Sequence, residues 1–383
     1  MASSLFQSTL IMVLKTNRIA FAIISMVVIL SACNSKTKKT YTVEGSQDVR
    51  NFITSPATER LTDPHDSLIY SFVTVGCNRI DKDDITKDNP STTNLEEIKK
   101  TFEEVANMKP LPDYFFFTGD LVYGYPKFDT AKLAKELTGW RDVYESSPLA
   151  KSGIKMVALP GNHEMLISKK TSTGIAEENI WTRIMAPYIL GNNGPKRGGK
   201  DSLDGDESRL DYSFDFKGSH FIILNTDAMG QECKGPVYWI DDDLTAEQVK
   251  NPQHTFVFSH IPAYGAPEMN GPGEQLQNDS TFWDVLEKHH VDAMFSAHNH
   301  VYCRLLPHKS KTTMLIAGNG GSPLNEHCTD AQKFYGYTLI KVYKSGKVLS
   351  YSYGRPVPKA GYMAPVDGPT VFKDSANISW GAK

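Results

Sequence analysis

Five short polar segments carry the residue types from which a reactive centre could be made. They are Gly76-Cys77-Asn78-Arg79, Gly119-Asp120-Leu121-Val122-Tyr123, Gly161-Asn162-His163-Glu164, His260-Ile261-Pro262 and His298-Asn299-His300. Carboxylate, imidazole, amide and thiol groups are the side chains that ligate metal ions. One carboxylate can bridge two cations, and Asp120 is the natural bridge, with imidazoles and amide oxygens completing the shells. Two ions about 3.5–4 Å apart clamp a phosphoryl oxygen and generate hydroxide near neutral pH. His298 and His300, two residues apart, can each address a different ion. Any one of these segments is common in proteins. Their order and their shared setting are what point to a single dinuclear centre.

That shared setting is the end of a strand. Apolar runs at 69–75, 114–117, 156–159, 255–258 and 291–295 lead straight into the five segments, and runs of this length and composition predict buried strands. Amphipathic stretches at 93–108 and 130–144 predict helices between them. A hairpin is predicted from 210–216 and 220–224 around Lys217-Gly218, and late strands at 314–317, 335–342 and 348–353. Alternating strands and helices define an α/β chain, and in open α/β sheets ligands bind beyond the carboxyl ends of the strands. Residues 165–209, rich in Gly and Lys, interrupt the pattern and are expected to form a surface insertion, either a lid or a packed decoration. The tail from 356 to 383 is expected to be irregular.

Taken together, Gly119-Asp120, Gly161-Asn162-His163-Glu164, His260 and His298-x-His300 resemble the signature of calcineurin-like metallophosphoesterases. The spacing Gly119-Asp120-x-x-Tyr123, the run Val301-Tyr302-Cys303-Arg304, the segment 316–321 and the Trp239–Leu244 stretch look more narrowly like purple acid phosphatases. The resemblance spans roughly residues 68–355. It implies a sandwich of two mixed β-sheets flanked by helices. It implies that Asp120 bridges two ions, that Tyr123 and His300 bind the first, and that Asn162, His260 and His298 bind the second. His163 would contact the substrate phosphate. A phenolate ligand implies iron at the first position, with zinc, manganese or iron at the second.

The first segment departs from the family pattern. An aspartate is expected where Cys77 stands, and Arg79 occupies a position that is histidine in many members. Cys77 could ligate as a thiolate; an acid among Asp81, Asp83 and Asp84 could replace it; or the first ion is lost, or Cys77 is held in a disulfide, with Cys303 as a candidate partner. Arg79 could clamp a phosphate oxygen bidentately or simply cap the strand end. Asn78 beside it is a second candidate for substrate binding.

The remaining signals concern location and partners. Lys15 and Arg18 precede an apolar run at 19–32 that is too short to span a bilayer comfortably and fits a secretory signal. It ends in Leu30-Ser31-Ala32-Cys33, which looks like a bacterial lipobox with lipidation at Cys33. The predicted organisation is a signal at 1–33, a tether at 34–67, the catalytic domain at 68–355 and the tail. The expected location is the cell envelope, with a membrane anchor. Charged residues make up 22% of the 383, with a net charge of -3. No basic stripe marks a nucleic-acid binder, and no protein partner is expected. The expected activity is metal-dependent hydrolysis of a small phosphate ester, monoesters before diesters. The alternative is a non-catalytic lipoprotein that binds a phosphorylated or carbohydrate ligand.

Overall fold

The computed structural model describes residues 65–125, 129–165, 176–267, 269 and 274–381. The apolar run and Cys33 lie outside them.

Two six-stranded sheets form the centre of the molecule. The first contains β1 (Leu68–Val75), β2 (Tyr114–Thr118), β3 (Lys155–Leu159), β10 (Tyr335–Tyr343), β11 (Val348–Arg355) and β12 (Val371–Asn377). Its order is β12-β11-β10-β1-β2-β3, with β1, β2 and β3 mutually parallel and the others antiparallel. The second contains β4 (Tyr212–Phe216), β5 (Ser219–Ile223), β6 (His254–Phe258), β7 (Ala293–Ser296), β8 (Tyr302–Leu305) and β9 (Thr313–Ala317). Its order is β4-β5-β6-β7-β9-β8, and β5, β6, β7 and β9 are parallel. Both sheets are therefore mixed, as expected.

The alternation of side chains explains why the sheets face each other. In β2, Tyr114 and Phe116 point to the inter-sheet layer while Phe115 and Phe117 point to the helices. Phe116 stacks on Phe258 of the other sheet with ring centroids 4.0 Å apart, and Phe72 meets Phe295 edge-on at 5.6 Å. Parallel strands need both faces covered. The outer face of the first sheet is covered by α1 (Leu95–Ala106) and α2 (Thr130–Ser146), through Ile98, Phe102, Leu137 and Trp140. Asn94 and Asp129 cap these helices by accepting the N–H of Glu97 and Lys132. On the second sheet lie α6 (Val237–Gln248) and α7 (Asp279–Lys288), after the short α3 (Pro148–Lys151), α4 (Asn162–Met165) and α5 (Ala176–Ile184).

One expectation is corrected and one alternative is decided. The tail is not irregular throughout: β12 extends the first sheet, and its Asp374 accepts hydrogen bonds from Tyr302 and Arg304 on the edge of the second. Its sequence, Val-Phe-Lys-Asp-Ser-Ala-Asn, shows little apolar alternation because it is an edge strand whose polar side chain is satisfied across the sandwich. The described part of the insertion is a packed decoration rather than a lid. Trp181, Ile180 and Ile184 of α5 sit in the same core cluster as Trp140 and Tyr144.

Candidate metal centre

Parallel pairing places the carboxyl ends of β1, β2 and β3 along one rim, and those of β5, β6 and β7 along the rim of the second sheet. The two rims meet. His260, just past β6, hydrogen-bonds Asn162, just past β3, at 3.0 Å. Close approach demands glycine at two turns. A Cβ on Gly119, whose φ is 86°, would stand 2.5 Å from His260 Nδ1, and one on Gly161 would stand 2.3 Å from Asp120 Oδ1. Asp120 itself is held at φ 54°. Glu164 stabilises that conformation: its buried carboxylate accepts the N–H groups of Asp120 (3.1 Å), Gly161 (2.7 Å) and Val122 (3.0 Å), tying the second loop to the third. Burial, and then the Asp120 carboxylate, push Glu164 up to about 8.

Four lone-pair atoms converge between the rims. His260 donates Nδ1–H to the Thr118 carbonyl at 2.8 Å, which turns Nε2 toward the other three atoms. That Nε2 lies 3.0 Å from Asn162 Oδ1, 3.2 Å from Asp120 Oδ1 and 3.3 Å from His298 Nδ1, and His298 Nδ1 is 3.1 Å from Asn162 Oδ1. Asn162 Nδ2 donates to Tyr125 Oη at 2.5 Å, so its oxygen is the atom turned inward. Acceptors packed this closely repel unless a cation or a proton lies among them. Ligand atoms about 2.0–2.2 Å from one ion stand roughly 3.0–3.5 Å apart, and this cluster matches that spacing. The electrostatics agree. Burial works against the Asp120 carboxylate, yet His260, His163 and Arg79 hold it well below the ordinary range. Burial alone would lower His260, and Asp120 outweighs it, pushing the imidazole up to about 9. Asp120, Asn162, His260 and His298 therefore fit a metal ion.

The other half of the expected centre has a different character. Cys77 is fully buried at φ 57°, with its Sγ within 4.8 Å of ligand atoms of Asp120 and His260. It is a thiol, not half of a disulfide, and it accepts the His298 N–H at 3.1 Å. Burial, then Asp120, push that thiol well above its usual range. Asp81, Asp83 and Asp84 do not replace it: Asp81 pairs outward with Arg79 at 2.9 Å, Asp83 is exposed, and Asp84 accepts from Tyr362. Arg79 reaches inward instead, its Nε 3.8 Å from Asp120 Oδ2, and its charge acts on Cys77, Tyr123, His163 and His300 alike. His300 donates Nδ1–H to the Pro323 carbonyl at 2.8 Å and is lowered to about 4 by burial and Arg79. Tyr123 meets His163 edge-on at 5.6 Å beneath the Lys132 ammonium, and burial raises its phenol. A fixed guanidinium already faces Asp120 Oδ2 in this half, beside a cysteine and a phenol, and that arrangement does not favour a second cation.

His163 lies between the halves. Its backbone N–H donates to Asp120 Oδ1 at 3.2 Å, its Nδ1 meets the Tyr123 carbonyl, and its ring lies 3.9 Å from that of Tyr125. Burial is the main force holding this imidazole neutral, down to about 3. Asn78, expected at the substrate, is a correction. It is fully buried, donates to the carbonyls of Gly320 (2.7 Å) and Asn94 (3.3 Å), and accepts from Thr93, so it braces the loop rather than facing a ligand.

Three contributors were not assigned from sequence. Glu164 was visible within its motif, but its role as a clamp on backbone amides depends on tertiary contact. Tyr125, two residues beyond Tyr123, orients Asn162. Asn225-Thr226-Asp227 is a sixth polar strand end, after β5: Thr226 accepts the Ile261 N–H at 3.1 Å, and the charge of Asp227 reaches His260. The signal that marked the other five, an apolar run ending in polar residues, is present there too.

This fold and this cluster define a phosphoesterase scaffold, and comparison with known proteins agrees. The family model for calcineurin-like phosphoesterases matches residues 61–302. The chain belongs to the calcineurin-like phosphoesterase family, whose members usually hold two metal ions. It is 24% identical over 211 residues to the serine/threonine-protein phosphatase CPPED1 of Rattus norvegicus, covering 53% of this chain and 54% of that protein. It is 25% identical over 221 residues to purple acid phosphatase 21 of Arabidopsis thaliana, covering 55% of this chain and 44% of that protein. The chain thus spans about half the length of these relatives or less. Its fold is similar to that of a purple acid phosphatase from yellow lupin (TM-score 0.52, 16% identity, 82% of this chain and 54% of that one). It is also similar to that of a dimetal phosphatase from Danio rerio (TM-score 0.50, 13% identity, 80% of this chain and all of that one).

Proposed function

We propose that this phosphoesterase hydrolyses phosphomonoesters at a metal centre held by Asp120, Asn162, His260 and His298. The observation that carries the reading is that His260 Nε2 lies 3.0–3.3 Å from Asn162 Oδ1, Asp120 Oδ1 and His298 Nδ1, with His260 and Asn162 turned inward by Thr118 and Tyr125 behind them. A metal ion bound there would polarise a phosphoryl oxygen and acidify water. The chain's own groups do the rest. His163, fixed at Nδ1, presents Nε2, which takes up a proton from water beside a phosphoryl dianion and donates it to the leaving-group oxygen as that oxygen's bond to phosphorus breaks. Arg79 offers a permanent charge on the same face. A monoester dianion gains more from this pair of positive groups than a diester monoanion does, which favours the monoester. Two relatives named as phosphatases support the same class. The two-ion form of the reading would add Tyr123, His300 and Cys77 as ligands, with iron there and zinc, manganese or iron beside it. No step here depends on that second ion.

Hydrolysis of nitrophenyl phosphate and bis-nitrophenyl phosphate by chain loaded with manganese, zinc or iron tests the proposal. Faster turnover of the monoester, abolished by chelation, is expected. No turnover of either ester from acid to mildly alkaline pH would defeat it and favour a ligand-binding scaffold instead.

We also propose that the chain is tethered to the cell envelope through lipid on Cys33. The support is the apolar run at 19–32 and its Leu-Ser-Ala-Cys end. Cys33→Ala should move the protein from the membrane fraction to the soluble one; unchanged partitioning would refute the anchor.

A further inference from the structure

The half-site that does not fit a second cation already contains a positive charge. We infer that the Arg79 guanidinium takes the place of that cation, so that the chain works with one metal ion and one fixed arginine. The inference rests on the metal reading above for the other half-site.

Four observations converge on it. First, the two oxygens of Asp120 are divided between the halves: Oδ1 faces His260 Nε2 at 3.2 Å, and Oδ2 faces Arg79 Nε at 3.8 Å. The carboxylate still bridges two positive centres, but one of them is organic. Second, Arg79 Nε is buried and makes no hydrogen bond, so it lies against Asp120 through charge alone. Third, the arginine is built in rather than draped over the surface. Its N–H donates to the Asp120 carbonyl at 3.2 Å, its carbonyl accepts from Ser322 at 2.9 Å, its strand end bridges Thr93, and Asp81 holds Nη1 at 2.9 Å. Only 15% of its side chain is exposed. Fourth, the side chain standing where a carboxylate is expected is Cys77, a fully buried cysteine whose Sγ already accepts the His298 N–H at 3.1 Å.

The substitutions are complementary in charge. An aspartate and a histidine at 77 and 79 would bring one negative charge and a neutral ligand, which suits a cation. Cysteine and arginine remove that charge and add a positive one, so the cation is no longer needed. Arginine cannot lose its proton to admit an ion as histidine can, and like charges a few ångströms apart in a buried site repel strongly. Arginine also presents planar paired donors to phosphoryl oxygens, the service a second ion would otherwise perform.

Metal stoichiometry tests this without reference to turnover. The chelated full chain is titrated with Mn2+ and with Zn2+, followed by calorimetry and elemental analysis, and is separately loaded with Fe3+. One equivalent per chain, and no visible tyrosinate-to-iron absorption, is the expected result. Two equivalents of comparable affinity would overturn the inference and leave the proposed hydrolysis standing. Zero equivalents would overturn the metal reading itself and this inference with it. The double variant C77D/R79H is expected to bind a second equivalent, and Arg79→Lys, which keeps the charge, to stay at one. Should the double variant fail to fold, the stoichiometry of the unaltered chain and of Arg79→Lys still decides the matter. A second equivalent bound by Arg79→Lys would count against the inference.

Discussion

At the scale of single residues, the centre depends on atoms held in place by partners behind them. His260 is fixed by the Thr118 carbonyl, Asn162 by Tyr125, and Asp120 by the amide network of Glu164. Groups of this kind typically change metal affinity 10–100-fold when altered. Glu164→Gln replaces one of the two accepting oxygens with an N–H donor that faces a backbone N–H, so metal affinity measured by competition with a chelator should fall by about 10–100-fold, with the fold retained. Undiminished affinity would show that the loops hold Asp120 without it. His163 makes a different prediction, because its side chain lies beside the four-atom cluster rather than within it. His163→Ala should leave metal content unchanged and lower kcat by about 10²–10⁴-fold, as expected for the loss of a proton donor or acceptor. A fall in metal content of the same size would instead make it a ligand.

At the scale of elements, the insertion owes its packing to buried acids. Glu178 on α5 accepts the Met229 N–H at 3.1 Å, Glu207 accepts from Asn225 Nδ2 at 3.0 Å, and Asp211 accepts the Asn225 N–H at 2.7 Å. Burial, then the neighbouring Glu178 and Asp211 carboxyls, push Glu207 well above the ordinary range. The sign follows directly. A carboxyl raised in the folded state contributes stability that is fully present below its unfolded value of about 4.3 and is lost as pH rises through its folded value. Glu207→Gln imitates the protonated acid at every pH. The variant and the parent should therefore unfold at similar temperatures near pH 4, and the variant should be the more stable at neutral pH. A difference in Tm that does not change with pH would show Glu207 to be ionised normally.

At the scale of the whole molecule, the sandwich is joined by the aromatic layer between the sheets and, at one edge, by Asp374. That carboxylate accepts from Arg304 Nε at 2.9 Å, Arg304 Nη2 at 3.2 Å and Tyr302 Oη at 2.8 Å, linking β12 of one sheet to β8 of the other. Asp374→Ala would leave a mostly buried guanidinium and phenol without their partner. Removing one side of such a pair costs about 3–5 kcal/mol, which denaturant unfolding would detect as a lower midpoint with an unchanged slope. A shift under about 1 kcal/mol, as for an exposed pair, would mean that solvent replaces the contact.

Much of this protein could be read without its structure. Apolar runs of strand length, ended by glycine and polar residues, located β1, β2, β3, β6 and β7 and the residues at their tips, because burial on both faces writes continuous hydrophobic runs into parallel strands. The identity of Asp120, Asn162, His260 and His298 as one group was legible from residue type and order. Other features were not. An edge strand such as β12 carries little apolar pattern, and the bracing of Asn78 and Glu164 consists of hydrogen bonds to backbone groups far away in sequence. Sequence also showed that Cys77 and Arg79 were unusual, but left thiolate, substitute acid, disulfide and lost ion all open at position 77. Only the tertiary structure could choose among these, because the outcome depends on direction. Asp81 and Asp84 turn outward, the Cys77 thiol meets a backbone N–H, and the Arg79 guanidinium turns inward to Asp120. Residue types determine which charges are available; the packing of two sheet rims determines which of those charges meet.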